Sequence, residues 1–325
     1  MKNVLVSIII PCYNSEAYVA GAIESALHQT HPNTEIILID NNSADNTLAV
    51  LLGYKVKHPE KITVGSEERA GAAAARNAGL RMAKGQWVQF LDADDTLMPQ
   101  KIEAQLARAV DSGAAVVVGS YRTKSTWIDK TTHGVENPWV GLITSRLGLT
   151  SSNLYKTESL RIIGGWKANL GSSQEYELMF RLLLRNEGFV YSRQVLTVID
   201  RRSESLAKTS DKEKLYGLLK TRVDLRLQMR QVLSQQGMYD TDKRKALENY
   251  VFRQIIWSRY HCPEFYAAYV RSSGVSPPLL SKSKILLKEA FRNTLLAVLS
   301  KIRPLAKRNV KTGSVDHECS RVEKD

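Results

Sequence analysis

The sequence predicts an α/β fold built on a largely parallel sheet, and three observations predict it. Short Val- and Ile-rich runs alternate with longer segments of helical periodicity over the first 120 residues. Those runs are continuously apolar rather than alternating, as expected of strands covered on both faces. Polar and acidic residues follow each run, and ligands of open α/β sheets bind beyond the carboxyl ends of the strands.

Strands are expected at residues 4–10, 35–40, 61–65, 86–91 and 114–119. Between the first two lies a helix over 15–29, with Ser15 as its N-cap, and after the second a helix over 43–55 capped by Ser43. The Ala-rich segment 72–84 is a third crossover helix, narrow enough to lie close to the sheet and stopped by Gly85. A fourth spans 99–112, with Pro99 at its first position and Gly113 as its stop. After about residue 208 strands cease, and helices over 211–236, 241–258 and 283–302 follow, with a Ser/Gly/Pro loop at 272–278.

Composition bounds the function. The chain has 325 residues, 43% hydrophobic and 24% charged, as globular proteins do. Its three cysteines are scattered and odd in number, which argues for a reducing compartment and against a zinc site. The early apolar run is broken by Ser7 and closed by Pro11, so it reads as a strand rather than a secretory signal. No stretch reaches the ~20 apolar residues that span a bilayer, so a cytoplasmic location is expected. Charge is uneven: residues 1–205 hold 22 Lys and Arg against 21 Asp and Glu, whereas residues 206–325 hold 24 against 12. Neither a G-x-G-x-x-G turn nor a P-loop is present, which disfavours dinucleotide and P-loop chemistry.

Asp92 and Asp94 stand two apart after a strand, where period-two geometry puts both on one side. Such a pair suits a hard divalent cation, Mg²⁺ or Mn²⁺; alternatively Asp94, Asp95 and Thr96 open the next helix. Tyr13, after Pro11, offers a stacking face and Asp40 an acceptor for a base N–H, or the two are a turn tyrosine and a helix-entry aspartate. Arg76-Asn77 reaches a phosphate or buttresses the loops.

Four ordered motifs carry a resemblance: Pro11-Cys12-Tyr13-Asn14; Gln29-Thr30 through Asp40-Asn41-Asn42-Ser43-Ala44-Asp45; Gly71 to Gly79 with Arg76-Asn77; and Phe90-Leu91-Asp92-Ala93-Asp94-Asp95. With Gly164-Gly165-Trp166, Gln174-Glu175 to Arg181, and Arg201-Arg202-Ser203-Glu204-Ser205, they make the first 205 residues resemble the family 2 glycosyltransferases. The resemblance implies a GT-A fold (a Rossmann-like mixed sheet), a nucleotide-diphosphate sugar donor such as a UDP-sugar, Mn²⁺ or Mg²⁺, and inversion at the anomeric carbon. By motif, Pro11, Tyr13 and Asp40 would hold the nucleoside, Arg76 and Asp92 the donor, and Asp94 with Asp92 the metal of the DXD motif. Glu175 would be the catalytic base, and Arg201 and Arg202 a diphosphate clamp or a pair of solvated arginines. Two positions depart from the pattern: Asn41 stands where many members have a second aspartate, and Gln174-Glu175 where many have Glu-Asp.

The implied organisation is a GT-A domain over 1–205, divided into a nucleotide-sugar half (1–119) and an acceptor half (120–205), followed by a basic helical region over 206–325. The implied activity is transfer of a sugar to a glycan or lipid-linked hydroxyl in cell-surface polysaccharide synthesis. A nucleotide-sugar-binding protein without turnover, or a sugar nucleotidyltransferase, is the alternative. The basic region lacks nucleic-acid motifs. Lys284, Lys288 and Arg292 flank an apolar face suited either to an anionic membrane surface, making the protein peripheral, or to burial against protein.

Overall fold

A computed structural model of the protein describes residues 3–125, 128–200, 211–276, 279 and 282–290. Among these, nine strands form one mixed sheet. The strands β1 (Val6–Cys12), β2 (Thr34–Asp40), β3 (Ile62–Ser66) and β4 (Trp87–Phe90) are parallel, in the order β3-β2-β1-β4. In β1 every residue but Pro11 is buried, which is the two-sided cover that its unbroken apolarity requires. Because β2 and β4 flank β1 on opposite sides, the chain direction switches at its carboxyl end, where a crevice opens.

The sheet continues through β8 (Leu154–Lys156) and β6 (Val116–Ser125), each antiparallel to its predecessor, then β9 (Phe189–Asp200), parallel to β6, and the short edge strand β5 (Thr96–Leu97). The strand β7 (Ile128–Thr132) pairs with β6 as a hairpin. This antiparallel half accounts for the mixed sheet of a GT-A fold, and β5 pairing with β9 brings the Asp92–Asp95 turn beside Asp200.

The helices of the first half are α1 (Val19–Leu27), α2 (Thr47–Lys57), α3 (Ala72–Met82) and α4 (Lys101–Ser112). Three expected helix starts differ: tertiary partners take the Ser43 hydroxyl and the Pro99 carbonyl, whereas the Ser15 hydroxyl is buried without a partner. Ser15 opens a turn instead, its carbonyl accepting from Tyr18 and Val19, and α1 starts at Val19. The Ser43 hydroxyl accepts from the Asn14 N–H at 3.1 Å, stitching two strand-end loops, and α2 starts after Asn46. Pro99 gives its carbonyl to Thr30, and α4 begins two residues later. Gly113 does stop α4, at φ 66°. Gly85 lies beyond the end of α3 and serves close approach: a Cβ there would sit 2.6 Å from the Ser7 nitrogen. On α3 itself, Ala73, Ala74, Ala75 and Ala78 are buried, and a Cβ at Gly79 would lie 2.3 Å from Ile9 Cγ2. The small-residue face therefore sets how closely Arg76 approaches the strand ends.

Between β7 and β9 come α5 (Pro138–Ile143), a 3₁₀ turn at Thr150–Ser152, α6 (Thr157–Ile162) and α7 (Gln174–Leu184). The first compact unit runs from Met1 to Val251, past the boundary expected at 205. It does so because α8 (Lys212–Gln235) is a packed helix, burying Leu219, Val223, Arg226 and Met229. Asp211 caps α8 by accepting from Glu213 and Lys214. The last helix of this unit, α9 (Thr241–His261), crosses into the second unit, Phe252–Asp325. There the structure adds α10 (Pro263–Ser272), unanticipated from sequence, with Pro263 in its first turn and Phe265 stacked on Tyr269. Residues 282–290 are helical, whereas Arg292 and the remainder of the helix expected over 283–302 lie outside the described residues.

Replacing Gly79 with Ala should cost about 1–3 kcal/mol through overpacking against Ile9. A urea melt measures it, and an unchanged midpoint would refute the close packing of α3 on β1.

Candidate functional site

The site is assembled where β1, β2 and β4 end. The register pairs Cys12 with Asp40, so the residues following both strands are neighbours. Tyr13 is 55% exposed, its ring presented to solvent, while Asp40 is buried. One Asp40 carboxylate oxygen accepts weakly from Ser43 N–H at 3.3 Å; the other, Oδ1, is buried and has no partner. Asp40 thus keeps a buried acceptor without a partner at the strand end that neighbours the exposed Tyr13. Neighbouring Asn14, at φ 44°, accepts from the Ala44 N–H and fixes the spacing of the two loops.

Asn41 explains its own departure from the family pattern. Its amide nitrogen donates to the carbonyls of Glu67 (2.6 Å) and Arg69 (2.8 Å), and its oxygen accepts from Gly71 N–H (2.8 Å). An aspartate has no donors with which to hold that loop. The loop is braced further by Glu67, which takes both Arg69 and Arg81, and whose carboxyl is held down to about 2 chiefly by its bonds to Arg69. The loop leads directly into α3.

Arg76, on α3, is buried and joins three elements. Its Nη2 donates to Asp92 Oδ1 at 2.6 Å, its Nη1 lies 3.5 Å from Gln174 Oε1 at the start of α7, and its guanidinium rests 4.7 Å from the Trp166 ring. Its Nε is buried and unpartnered. Asn77 next door both donates to the Trp166 carbonyl and accepts from its N–H, so the Gly164-Gly165-Trp166 motif is the floor on which Arg76 lies.

The Asp92–Asp95 segment is a turn leading to β5, not the start of a helix. Burial alternates along it: Asp92 and Asp94 are partly exposed on one side, Ala93 and Asp95 buried. Asp95 accepts from Ser151 Oγ at 2.6 Å and from Asp200 N–H at 3.2 Å. Ser151 Oγ in turn accepts from the Asp92 N–H at 3.0 Å, locking the turn. Burial, then the nearby Asp92 charge, raises the Asp95 carboxyl well above the ordinary range, so Asp95 is a structural acid beside the two exposed carboxylates. Among the described residues no three His, Cys, Asp or Glu side chains converge as a cage for an ion. Hard oxygen donors in ones and twos, facing an open cavity, instead fit a cation of the Mg²⁺ or Mn²⁺ type that shares its shell with phosphate.

Glu175 sits in the first turn of α7, which follows Ser173 at φ 59°. Gln174 holds the preceding loop by donating to the Leu170 carbonyl. Burial raises the Glu175 carboxyl above its ordinary range, opposed by the positive charges of Arg76 and Arg226. Asp92, Asp94, Glu175 and Arg76 all line one cavity of about 770 Å³. Pro11, Tyr13 and Asp40 lie outside its lining, at the neighbouring strand ends, and Arg201 and Arg202 lie outside the described residues. Sequence reasoning missed Ser151, Trp166 as the support of Arg76, Asp200 at the end of β9, and the α8 residues Leu218 and Arg222, which also line the cavity. Only Trp166 carried a signal, its Gly-Gly-Trp context.

Residues 7–164 match the model of glycosyl transferase family 2. The putative teichuronic acid biosynthesis glycosyltransferase TuaG of Bacillus subtilis is 39% identical over 137 residues, 41% of this chain and 54% of that one. The UDP-Glc:alpha-D-GlcNAc-diphosphoundecaprenol beta-1,3-glucosyltransferase WfgD of Escherichia coli is 36% identical over 121 residues, 37% of this chain and 47% of that one. The matches span about half the length of these curated relatives. Among solved structures, S. aureus TarS 1-349 in complex with UDP-GlcNAc superposes with TM-score 0.58 at 18% identity, covering 89% of this chain and 92% of that one. The mannosyltransferase PcManGT of Pyrobaculum calidifontis, in complex with GDP-Man and Mn²⁺, gives 0.54 at 17% identity over 89% and 86%. The fold is that of these GT-A type structures. Through residues 7–164, the chain is similar to glycosyl transferase family 2.

Replacing Asn41 with Asp removes both donors and leaves the Glu67 and Arg69 carbonyls unpaired, at a cost of about 1–3 kcal/mol. Denaturant unfolding measures it; a variant as stable as the parent would show that the amide does not hold the loop.

Proposed function

We propose that the protein is an inverting glycosyltransferase that moves a sugar from a nucleotide-diphosphate donor to a hydroxyl of a glycan or lipid-linked acceptor in cell-surface polysaccharide synthesis. The observation that carries the reading is that Asp92, Asp94 and Glu175 line one cavity, with the unpaired Asp40 oxygen at a neighbouring strand end. The relatives named for teichuronic acid and for diphosphoundecaprenol-linked sugars support the acceptor class, and TarS with UDP-GlcNAc supports a uridine donor.

In this reading Tyr13 stacks on the base, Asp40 Oδ1 accepts its N–H, and Pro11 fixes the approach of the loop. Arg76 keeps Asp92 in place and leaves Asp94 as the main holder of Mn²⁺ or Mg²⁺. A divalent cation bound there neutralises charge on the departing diphosphate. Arg201 and Arg202 are assigned to the same diphosphate from beyond β9. Glu175 accepts the proton of the acceptor hydroxyl as that oxygen attacks the anomeric carbon opposite the leaving group, which inverts its configuration. Its raised affinity for a proton suits a base, since a stronger base takes a hydroxyl proton more readily. The Asn41 departure does not argue for lost turnover, because its amide is fully used in holding the loop. Residues 1–205 would then supply catalysis and the basic region after them contact with an anionic membrane surface. No helix among the described residues is long and apolar enough to cross a membrane.

Release of nucleoside diphosphate from a panel of nucleotide sugars tests the proposal. Glu175→Gln should lower turnover about 10²- to 10⁴-fold with little change in donor binding. Asp94→Asn, or chelation of divalent ions, should lower it about 100-fold or more. Full activity of Glu175→Gln would remove the base assignment, and full activity of Asp94→Asn in chelator would remove the cation site. The pH profile supplies an independent check. Protonation disarms Glu175 as pH falls through its raised value, so the acidic limb should begin at higher pH than an ordinary glutamate gives. A limb in the ordinary carboxylate range would contradict the base's burial.

A further inference from the structure

The helix α8 lies outside the family-matched segment, yet it supplies one wall of the cavity. Leu218, Arg222 and Arg226 follow at i, i+4, i+8 and share one face of that helix. Leu218 meets the loop before Glu175, its carbonyl accepting from Ser172 Oγ at 3.3 Å. Arg226 is fully buried with no carboxylate partner: it donates to the carbonyls of Ile143, Leu142 and Arg222 and to Ser145 Oγ at 2.6 Å. The rings of Tyr250 and Tyr176 lie 4.4 and 5.3 Å from its guanidinium. Its hydrogen bonds go to neutral groups and Glu175 meets its charge only through space, and one of those bonds pins the backbone turn that carries Arg222.

Arg222 is half-buried and lines the cavity with Glu175. Among the described residues it and Arg76 are the two cationic side chains on that lining. Arg76 is committed to Asp92, whereas no carboxylate, carbonyl or hydroxyl among the described residues takes the Arg222 guanidinium. A guanidinium held in a cavity wall with no carboxylate of its own is a ready partner for an oxyanion. The nucleoside corner at Tyr13 and Asp40 lies outside this lining, and the acceptor hydroxyl must approach Glu175, on the side where α8 stands. Resting on the transferase reading above, we infer that Arg222 binds an anionic group of the acceptor, a phosphate or a sugar carboxylate, and so selects acidic acceptors.

The test is a ligand-observed NMR titration of the full chain, saturated with UDP and Mn²⁺, with glucose 1-phosphate, glucuronate and neutral glucose. At least one anionic probe should bind about tenfold tighter than glucose, as a charge-assisted contact warrants. Arg222→Gln should erase that preference, Arg222→Lys should keep much of it, and UDP affinity should not change. Preference for the phosphate identifies a phosphate-bearing acceptor, and preference for glucuronate an acidic sugar. Equal binding of charged and neutral probes, detectable or not, would overturn the inference. So would a preference that survives Arg222→Gln, or a loss in Arg222→Gln that falls on UDP instead. Repeating the titration without nucleotide separates the two readings: failure of UDP and other nucleoside diphosphates to bind sinks the donor site, while the contrast between anionic and neutral probes still decides Arg222.

Discussion

The ion pair between buried Arg76 and partly exposed Asp92 is the contact on which the site's geometry depends. Arg76 comes from α3, Asp92 follows β4, Gln174 opens α7, and Trp166 lies under the guanidinium, so one side chain joins four stretches of chain. A buried guanidinium in such a place is stable only if its charge is met, and Asp92 meets it at 2.6 Å. The pair also requires α3 to lie close to β1, which the small residues at 73–75, 78 and 79 allow. Local sequence, helix packing and placement of the cavity's carboxylates are thus one connected constraint.

Environment then divides labour among four carboxyl groups. Asp92 is neutralised by Arg76, and Asp94 stays partly exposed on the cavity. Asp95 is buried, bonded to Ser151 and to the Asp200 backbone, and ties the turn to β9. Glu175 is desolvated but lies between two arginine fields. Groups of similar intrinsic acidity are thereby set to different tasks by burial and neighbours, the usual means by which one site runs both charge-binding and proton-transfer chemistry.

The parallel half of the sheet was legible because its strands are buried on both faces and therefore continuously apolar. The strand-end residues were singled out because ligands of such sheets bind beyond the carboxyl ends of the strands. Helix starts were less so: Ser15, Ser43 and Pro99 look like starts, but the Ser15 N–H, the Ser43 hydroxyl and the Pro99 carbonyl are drawn into loop-to-loop contacts that no local pattern encodes. Asp95 read as one more acid of a motif, although a serine 56 residues away buries its role. Least visible was α8. Its charges suggest a solvated helix, yet Arg226 is among the most buried side chains in the protein, held by carbonyls 83 and 84 residues earlier and by aromatic rings. Polar burial satisfied over such separations leaves no periodic trace.

The most direct test of the central claim is a double-mutant cycle on Arg76 and Asp92, read as nucleoside diphosphate release from the donor. If the pair acts as one unit, Arg76→Ala, Asp92→Ala and the double variant should lose similar amounts of activity, with a coupling of about 1 kcal/mol or more. Losses that simply add would show that the two residues act separately, and the account of the site built upon their contact would be wrong.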